Sequence, residues 1–211
     1  MHHIMFDIDG TLVQSYQFDE QCYLDAVLEV VEKPLSKNWH LYPNITASGI
    51  LASHLELHGL QDRFDGMHCR VKELFNERVK HYLTDNPLHE IHGAGKLIRT
   101  LQAMDNVNVS FATGGWRDSA LLKLKAAGIP TQGIPIASAC DSHIRTEIMC
   151  IALDRAQVSS DHKVTYIGDG DWDRRACAEL GWNFVLIGDK TEHPQQLDHF
   201  KDLSRLFNYL G

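Results

Sequence analysis

Two carboxylates lie two residues apart in Asp7-Ile8-Asp9-Gly10-Thr11-Leu12, within and just after an apolar run that begins at Ile4. Side chains at i and i+2 of a strand share a face, so Asp7 and Asp9 are expected to point to one side, where they repel unless a cation or a proton separates them. Such a pair asks for metal binding or acid–base work. Gly10 lets the backbone turn sharply behind them, and Thr11 can cap or hydrogen-bond that turn. Taken alone, these six residues also read as a plain turn with an acidic cluster, and it is the rest of the chain that weighs against this.

Two further clusters sit at the ends of apolar runs. Ala112-Thr113-Gly114-Gly115 offers a hydroxyl and bare backbone N–H groups at a strand-to-helix junction, where an anion can bind, although Thr-Gly-Gly is also a routine turn. Gly168-Asp169-Gly170-Asp171-Trp172-Asp173 places three more carboxylates at a strand terminus. If the first strand is central in a doubly wound sheet, the carboxyl ends of its neighbours meet at one crevice, and Asp7, Asp9 and Asp169 converge there with Thr113 nearby. A hard oxygen set of this kind suits Mg²⁺, which is held by few carboxylates together with a substrate phosphate. No EF-hand pattern argues for calcium.

The elements that must position these residues follow from the apolar pattern. Short runs at Ile4–Ile8, Val107–Ala112, Val164–Gly168 and Phe184–Ile187, with a weaker one at Ile134–Ala137, alternate with helical stretches, which indicates a parallel sheet. The segment Arg117–Ala127 is expected to be a helix ended by Gly128 and Pro130. Pro194 is expected to open a last amphipathic helix carrying Leu197, Phe200, Leu203 and Phe207. Between Gln14 and His89 the pattern is helical instead, with stretches at Phe18–Glu32, Ala47–His58 and Asp62–Leu83 and apolar positions such as Leu24, Val27, Leu28 and Val31. The expected fold is therefore α/β: a Rossmann-like, three-layer, doubly wound parallel sheet from residues 1–14 plus 90–211, with an all-helical cap inserted at 15–89.

These motifs, in this order, resemble the haloacid dehalogenase superfamily, and specifically its phosphoglycolate-phosphatase-like members with a small helical cap. The D-x-D-G-T-L signature of that family matches Asp7–Leu12 in full. The resemblance implies that Asp7 attacks phosphorus to form an aspartyl-phosphate, while Asp9 first protonates the leaving oxygen and then activates the hydrolytic water. It implies that Thr113 and the Gly114 N–H hold a phosphate oxygen, and that Arg145, at the start of a helix through Ile148 and Ile151, supplies the basic residue; the family more often has lysine there, and arginine can hold phosphate bidentately. It further implies a Mg²⁺ site from Asp7, the Asp9 backbone carbonyl, Asp169 and Asp173, with Asp171 competing with Asp173 to complete the shell. The implied activity is Mg²⁺-dependent hydrolysis of a small phosphate monoester, phosphoglycolate-like or a sugar phosphate. A phosphomutase and a non-catalytic phosphate-binding regulatory module are the alternatives.

Other features bound the reading. The 211 residues carry 28 acidic and 20 basic side chains, a formal net charge of −8, which argues against a protein that neutralises a nucleic-acid backbone or an anionic membrane. The expected partner is a small phosphorylated metabolite. No apolar run approaches the roughly 18 residues of a membrane span, and five scattered cysteines without a C-x-x-C pair fit a reducing compartment, so a soluble cytoplasmic protein is expected. His54 and His58 share a helical face, but two ligands without a third make no zinc site, and solvated surface histidines are the simpler reading. His92-Gly93-Ala94-Gly95-Lys96 has part of a P-loop pattern and is better read as a helix-opening turn. Tyr42–Gly49 is a candidate substrate-contact segment or an ordinary helix N-cap at Thr46. Trp116 and Arg117 are candidates to line the entrance. The sequence does not indicate an oligomeric state.

Overall fold

In the computed structural model, which describes residues 2–158 and 163–210, the chain runs β1 (His2–Phe6), α1 (Tyr16–Val31), α2 (Ala47–Leu57), α3 (Phe64–Asp85), α4 (Ala94–Gln102), β2 (Val107–Ala112), α5 (Arg117–Ala126), β3 (Ile136–Ala137), α6 (Arg145–Arg155), β4 (Lys163–Gly168), α7 (Asp171–Leu180), β5 (Asn183–Ile187), β6 (Gln196–Leu197) and α8 (Leu203–Leu210). The strands form one six-stranded sheet in the order β3-β2-β1-β4-β5-β6, and every adjacent pair is parallel.

Strand alternation explains the three layers. In β1, Ile4 and Phe6 join an apolar cluster with Leu97, Ile98 and Leu101 of α4 and Ala120 and Leu124 of α5, while Met5 faces the opposite cluster with Ile148, Met149 and Ala152 of α6. A strand buried on both faces must be apolar on both, which is why the first run has no polar alternation beyond His3. His3 is fully buried and meets the Ser110 hydroxyl at 2.8 Å on the neighbouring strand. The α/β fold with a doubly wound parallel sheet is as expected.

The helices α1, α2 and α3 follow one another between β1 and α4 and close round a separate apolar cluster that includes Tyr23, Val27, Leu51, Val71 and Phe75. Trp116, from the loop after β2, is fully buried in this cluster, with ring centroids 5.3 Å from Phe75 and 5.7 Å from Tyr23. The turn at His92–Lys96 opens α4, and its Gly93 and Gly95 N–H groups donate to the Glu90 carboxylate at 3.2 and 2.7 Å. That carboxylate occupies the helix N-terminus, so the turn is structural.

One expectation is corrected. Pro194 does not open a helix: Gln196–Leu197 instead add a sixth strand, and helix begins only at Leu203. The open edge of β5 pairs with this segment through Leu186 N–H to Gln195 O and Gly188 N–H to Leu197 O, both 2.9 Å. Asp202 then sets the helix start, accepting from Ser204 N–H at 3.1 Å and Arg205 N–H at 3.3 Å, as a helix cap does. Leu197 and Phe200 are buried as their pattern implied, but from strand and loop.

Candidate active site

The parallel strands β1, β2 and β4 deliver their C-terminal ends to one place, beneath the helices α1 and α2. Asp7 leaves β1, its N–H bonded to Ile167 O at 2.9 Å, and Asp169 leaves β4. Asp173 reaches the same point from the first turn of α7, where its carboxylate also accepts the Gly170 N–H at 3.1 Å. Carboxylate oxygens of Asp7, Asp169 and Asp173 lie within 4.8 Å of one another, and all three residues are buried. Gly168 and Gly10 make this approach possible. A side chain at Gly168 would collide with the Asp173 carboxylate, and Gly10, at φ 80°, would press a Cβ into the Asp169 carboxylate.

Gly10→Ala is therefore expected to lower stability by about 1–2 kcal/mol or more, from the left-handed backbone alone, and to push Asp169 out of place. Thermal melting of the purified variant within a degree of the parent would show that this contact is not needed.

Three carboxylates packed this closely repel. Burial, then Asp173, raises the Asp7 carboxyl well above the ordinary carboxylate range, and burial raises Asp169 to about 6 even though Lys190 opposes it. Burial raises Asp173 as well, against the opposing pull of Arg145. Among the described residues the cations at this group are Arg145, whose Nη1 lies 2.8 Å from Asp173 Oδ1 and 3.8 Å from Asp7 Oδ1, and Lys190, which contacts Asp169 directly and sits 3.4 Å over the Tyr16 ring. Two cations against three buried carboxylates leave negative charge uncompensated, and the donor set is one a hard divalent cation would fit. Asp171, by contrast, pairs with Arg174 and Arg175 at 2.7 and 3.1 Å on the flank of α7, away from this group.

Thr113 ends β2 fully buried, its N–H bonded to Ala137 O at 3.1 Å and its hydroxyl accepting the Gly115 N–H at 3.1 Å. A Cβ at Gly114 would strike the Arg145 guanidinium, so glycine lets that guanidinium lie against the loop. Arg145 is aimed by three neighbours: it donates to Asp173, to Ile45 O at 3.1 Å and, more weakly, to the Tyr166 hydroxyl at 3.4 Å. Tyr166 in turn donates to Ala112 O at 2.8 Å.

Asp9 stands apart from the three-carboxylate group. Its Oδ1 accepts from Lys123 Nζ at 2.5 Å and from the Ser15 hydroxyl, and its Oδ2 lies beside Gly115. The expectation that Asp9 helps hold a metal therefore cannot rest on its side chain. Ser15 occupies the N-cap of α1 without capping it, its hydroxyl being turned to Asp9 instead. Lys123 of α5 is fully buried and bridges Asp9 to Asp19 of α1, each at 2.5 Å. Burial alone would depress this ammonium, but Asp19 and Asp9 hold it above the usual lysine value. Burial, then Asp9, raises Asp19 to about 6, because one lysine serves two carboxylates.

Sequence reasoning missed Lys123, Ser15, Tyr166 and Lys190. Lys190 alone left a signal, since it follows the C-terminal end of β5, the edge on which the other groups lie. The entrance residues expected at 116–117 are not there: Trp116 is buried in the helical cluster, and Arg117 is exposed, with Nη1 3.4 Å from Ile136 O. Thr46 is a true N-cap, accepting from Gly49 N–H at 3.0 Å, and Ile45, Thr46 and Ala47 also line the cavity above Asp7. Ala47 N–H donates to Gly114 O at 2.7 Å, tying this segment to the loop after β2. His54 is buried, not solvated; its Nε2 meets Lys33 O at 3.1 Å, and its ring packs edge-on against His58.

Comparison with known proteins bears on this geometry. CbbY from Rhodobacter sphaeroides, solved in complex with phosphate, superposes with a TM-score of 0.73 at 17% identity, covering 96% of this chain and 96% of that one. A hydrolase from Pseudomonas syringae superposes with a TM-score of 0.70 at 21% identity, covering 99% and 90%. YfnB from Bacillus subtilis, solved with magnesium bound, gives 0.61 at 17% identity, covering 98% of each chain. At these identities the likeness is one of fold. Comparison with curated protein sequences returned no match. A sequence profile described as haloacid dehalogenase-like hydrolase matches residues 4–187, which take in Asp7, Asp9, Thr113, Arg145, Asp169 and Asp173, and the chain belongs to that family.

Proposed function

We propose that the protein is a Mg²⁺-dependent phosphatase that hydrolyses a small phosphate monoester through an aspartyl-phosphate on Asp7. The observation that carries this reading is the grouping of Asp7, Asp169 and Asp173 beside Arg145 and Thr113 at the carboxyl edge of the sheet. Asp7, Asp169 and Asp173 would hold the cation, with the Asp9 backbone carbonyl. When bound, Mg²⁺ supplies positive charge that offsets repulsion between an anionic nucleophile and an anionic phosphate.

The chain's own residues do the rest. The Thr113 hydroxyl, the Gly114 N–H and the Arg145 guanidinium bind phosphate oxygens and orient the phosphorus for in-line attack by an Asp7 oxygen. Asp9, anchored through Oδ1, handles the proton at Oδ2: it gives it to the departing alkoxide and then takes one from the water that attacks the aspartyl-phosphate. The helices at 15–89 act as the cap, with Ile45–Ala47 closing over the loop after β2 and keeping bulk water from the intermediate. CbbY has been solved with xylulose-(1,5)-bisphosphate. For this chain a small monoester is proposed, of which phosphoglycolate-like compounds and sugar phosphates are two candidate types.

The test is phosphate release from phenyl phosphate with Mg²⁺ and with a chelator. Release that disappears on chelation supports the reading. Isomerisation of a sugar phosphate without release would transfer it to a phosphomutase, and binding without either reaction would transfer it to a regulatory module. Independently of turnover, Mg²⁺ at one hundred times its Kd should stabilise the fold by about 2.7 kcal/mol. Asp169 is raised to about 6 and Asp7 shifts in the same direction, so at pH 5 the metal must displace a proton from this group; the Mg²⁺-induced rise in melting temperature should be smaller there than at pH 8. Equal rises at both pH values would contradict this ligand set.

A further inference from the structure

The cavity above Asp7 is bordered by charge that the chemistry at phosphorus does not use. Besides the groups already described, its wall includes the rings of Tyr16, Tyr23, Trp39, Phe75 and Trp172 and two carboxylates of α1, Asp19 and Glu20. The polar atoms of two of these rings are already engaged: Tyr23 donates to Ala47 O at 2.6 Å, and Trp39 Nε1 donates to Glu20 Oε2 at 3.0 Å. What these rings offer a ligand is carbon surface. The cavity volume of about 130 Å³ is small beside the roughly 300–1,000 Å³ of sites for drug-sized ligands, so the alcohol it admits is small.

The sign of the field follows from the ion pairs. Six carboxylates border or underlie the cavity: Asp7, Asp9, Asp19, Glu20, Asp169 and Asp173. Among the described residues three basic side chains reach them, and each is engaged by carboxylate: Arg145 by Asp173 and Asp7, Lys123 by Asp9 and Asp19, Lys190 by Asp169. A divalent cation arriving with a phosphate dianion leaves this balance unchanged. Part of the excess negative charge lies on α1, where Asp19 shares its lysine with Asp9 and Glu20 meets only the neutral indole N–H in the hydrogen bonds described above. A second anion on the substrate would be desolvated against these carboxylates, with no uncommitted cation at the cavity among the described residues to receive it.

We infer that the substrate is the monophosphate of a small alcohol that carries no second anion and presents a ring or other apolar face to the aromatic wall, with a positively charged amino group near Glu20 favouring it further. An ammonium there meets the Glu20 carboxylate beside the Trp39 ring, the face of Tyr16 being already covered by Lys190. This rests on the phosphatase reading and narrows it, excluding carboxylate-bearing phosphates of the phosphoglycolate type and bisphosphates. Specificity arises from α1 of the helical segment, with Glu20 as the residue that reads charge.

Three aryl phosphates of matched shape test the inference: phenyl phosphate, O-phosphotyramine and 3-(4-phosphonooxyphenyl)propionate, assayed with Mg²⁺ on the full chain. The expected order of kcat/KM is tyramine ester, then phenyl ester, then propionate ester, the first and last, which are two unit charges apart, differing at least about tenfold at a partly desolvated site. Glu20→Gln should shrink that ratio several-fold. Calorimetric titration of Asp7→Asn protein with the two charged esters gives the same order without turnover. If phenyl phosphate is hydrolysed while the propionate ester equals or exceeds the tyramine ester, the charge assignment is overturned and the phosphatase reading stands. If none of the three is hydrolysed and the titrations show no preference, both fall.

Discussion

The Asp7→Asn protein is expected to release phosphate at less than about one-thousandth of the parent rate, since removal of an attacking group costs at least that much in enzymes with a covalent step. The same substitution should raise stability in metal-free buffer. Burial and the neighbouring Asp173 raise the Asp7 carboxyl, so its ionised form is disfavoured in the folded state. A group with a raised folded value contributes stability below its unfolded value and loses it as pH rises, so at neutral pH the Asp7 charge costs the fold free energy. Asparagine is nearly isosteric and removes that charge, while Arg145 keeps its nearer partner, Asp173, at 2.8 Å. Activity and melting temperature are therefore predicted to move in opposite directions, a trade-off expected where a fold holds like charges together for chemistry. A metal-free Asp7→Asn protein that melts below the parent would mean the acidic group is not strained.

Lys123→Met is the second change with a large expected effect. Lys123 is fully buried on α5 and binds Asp9, in the loop after β1, and Asp19, on α1. Removing one partner of a buried pair leaves charge uncompensated and costs about 3–5 kcal/mol. In a chain of this length that is a fall in melting temperature of roughly 6–20 °C. Turnover should fall too, with kcat affected more than KM, because Oδ1 of Asp9 loses one of the two contacts that fix its rotamer, keeping only the Ser15 hydroxyl, while the phosphate-binding groups are untouched. Adding Asp19→Asn to Lys123→Met should recover part of the stability, because one of the two orphaned carboxylates is gone. Strictly additive losses in that double-mutant cycle would show that Lys123 acts through packing and not through the ion pairs.

How much of this was legible beforehand differs by element. The strands at β1, β2, β4 and β5 read clearly because strands buried on both faces are short continuous apolar runs, and Val107–Ala112 matches its expected bounds. The helices α1 to α3 were visible through their 3.6-residue period, with ends shifted by one or two residues. The final segment failed because its apolar residues occur at helical spacing, yet a free edge on β5 and a cap at Asp202 decided which part became strand and which became helix. His54 failed similarly: a histidine on a helix looks solvated until the packing of the helices encloses it.

The sequence by itself determined the parallel α/β fold and the family, and it pointed to Asp7, Asp9, Thr113 and Asp169 as candidates because these lie at strand ends or in contiguous motifs whose chemistry is local, with Arg145 added by the family resemblance. Only the tertiary structure decided that Asp173 and not Asp171 joins the acidic group, that Lys123 and Ser15 hold Asp9, and that aromatic rings and the carboxylates of α1 help line the cavity. The reason is physical: Lys123 is separated from its partners by 104 and 114 residues, and whether a lysine is solvated or buried between two carboxylates depends on the meeting of α5 with α1, a contact that no local spacing encodes.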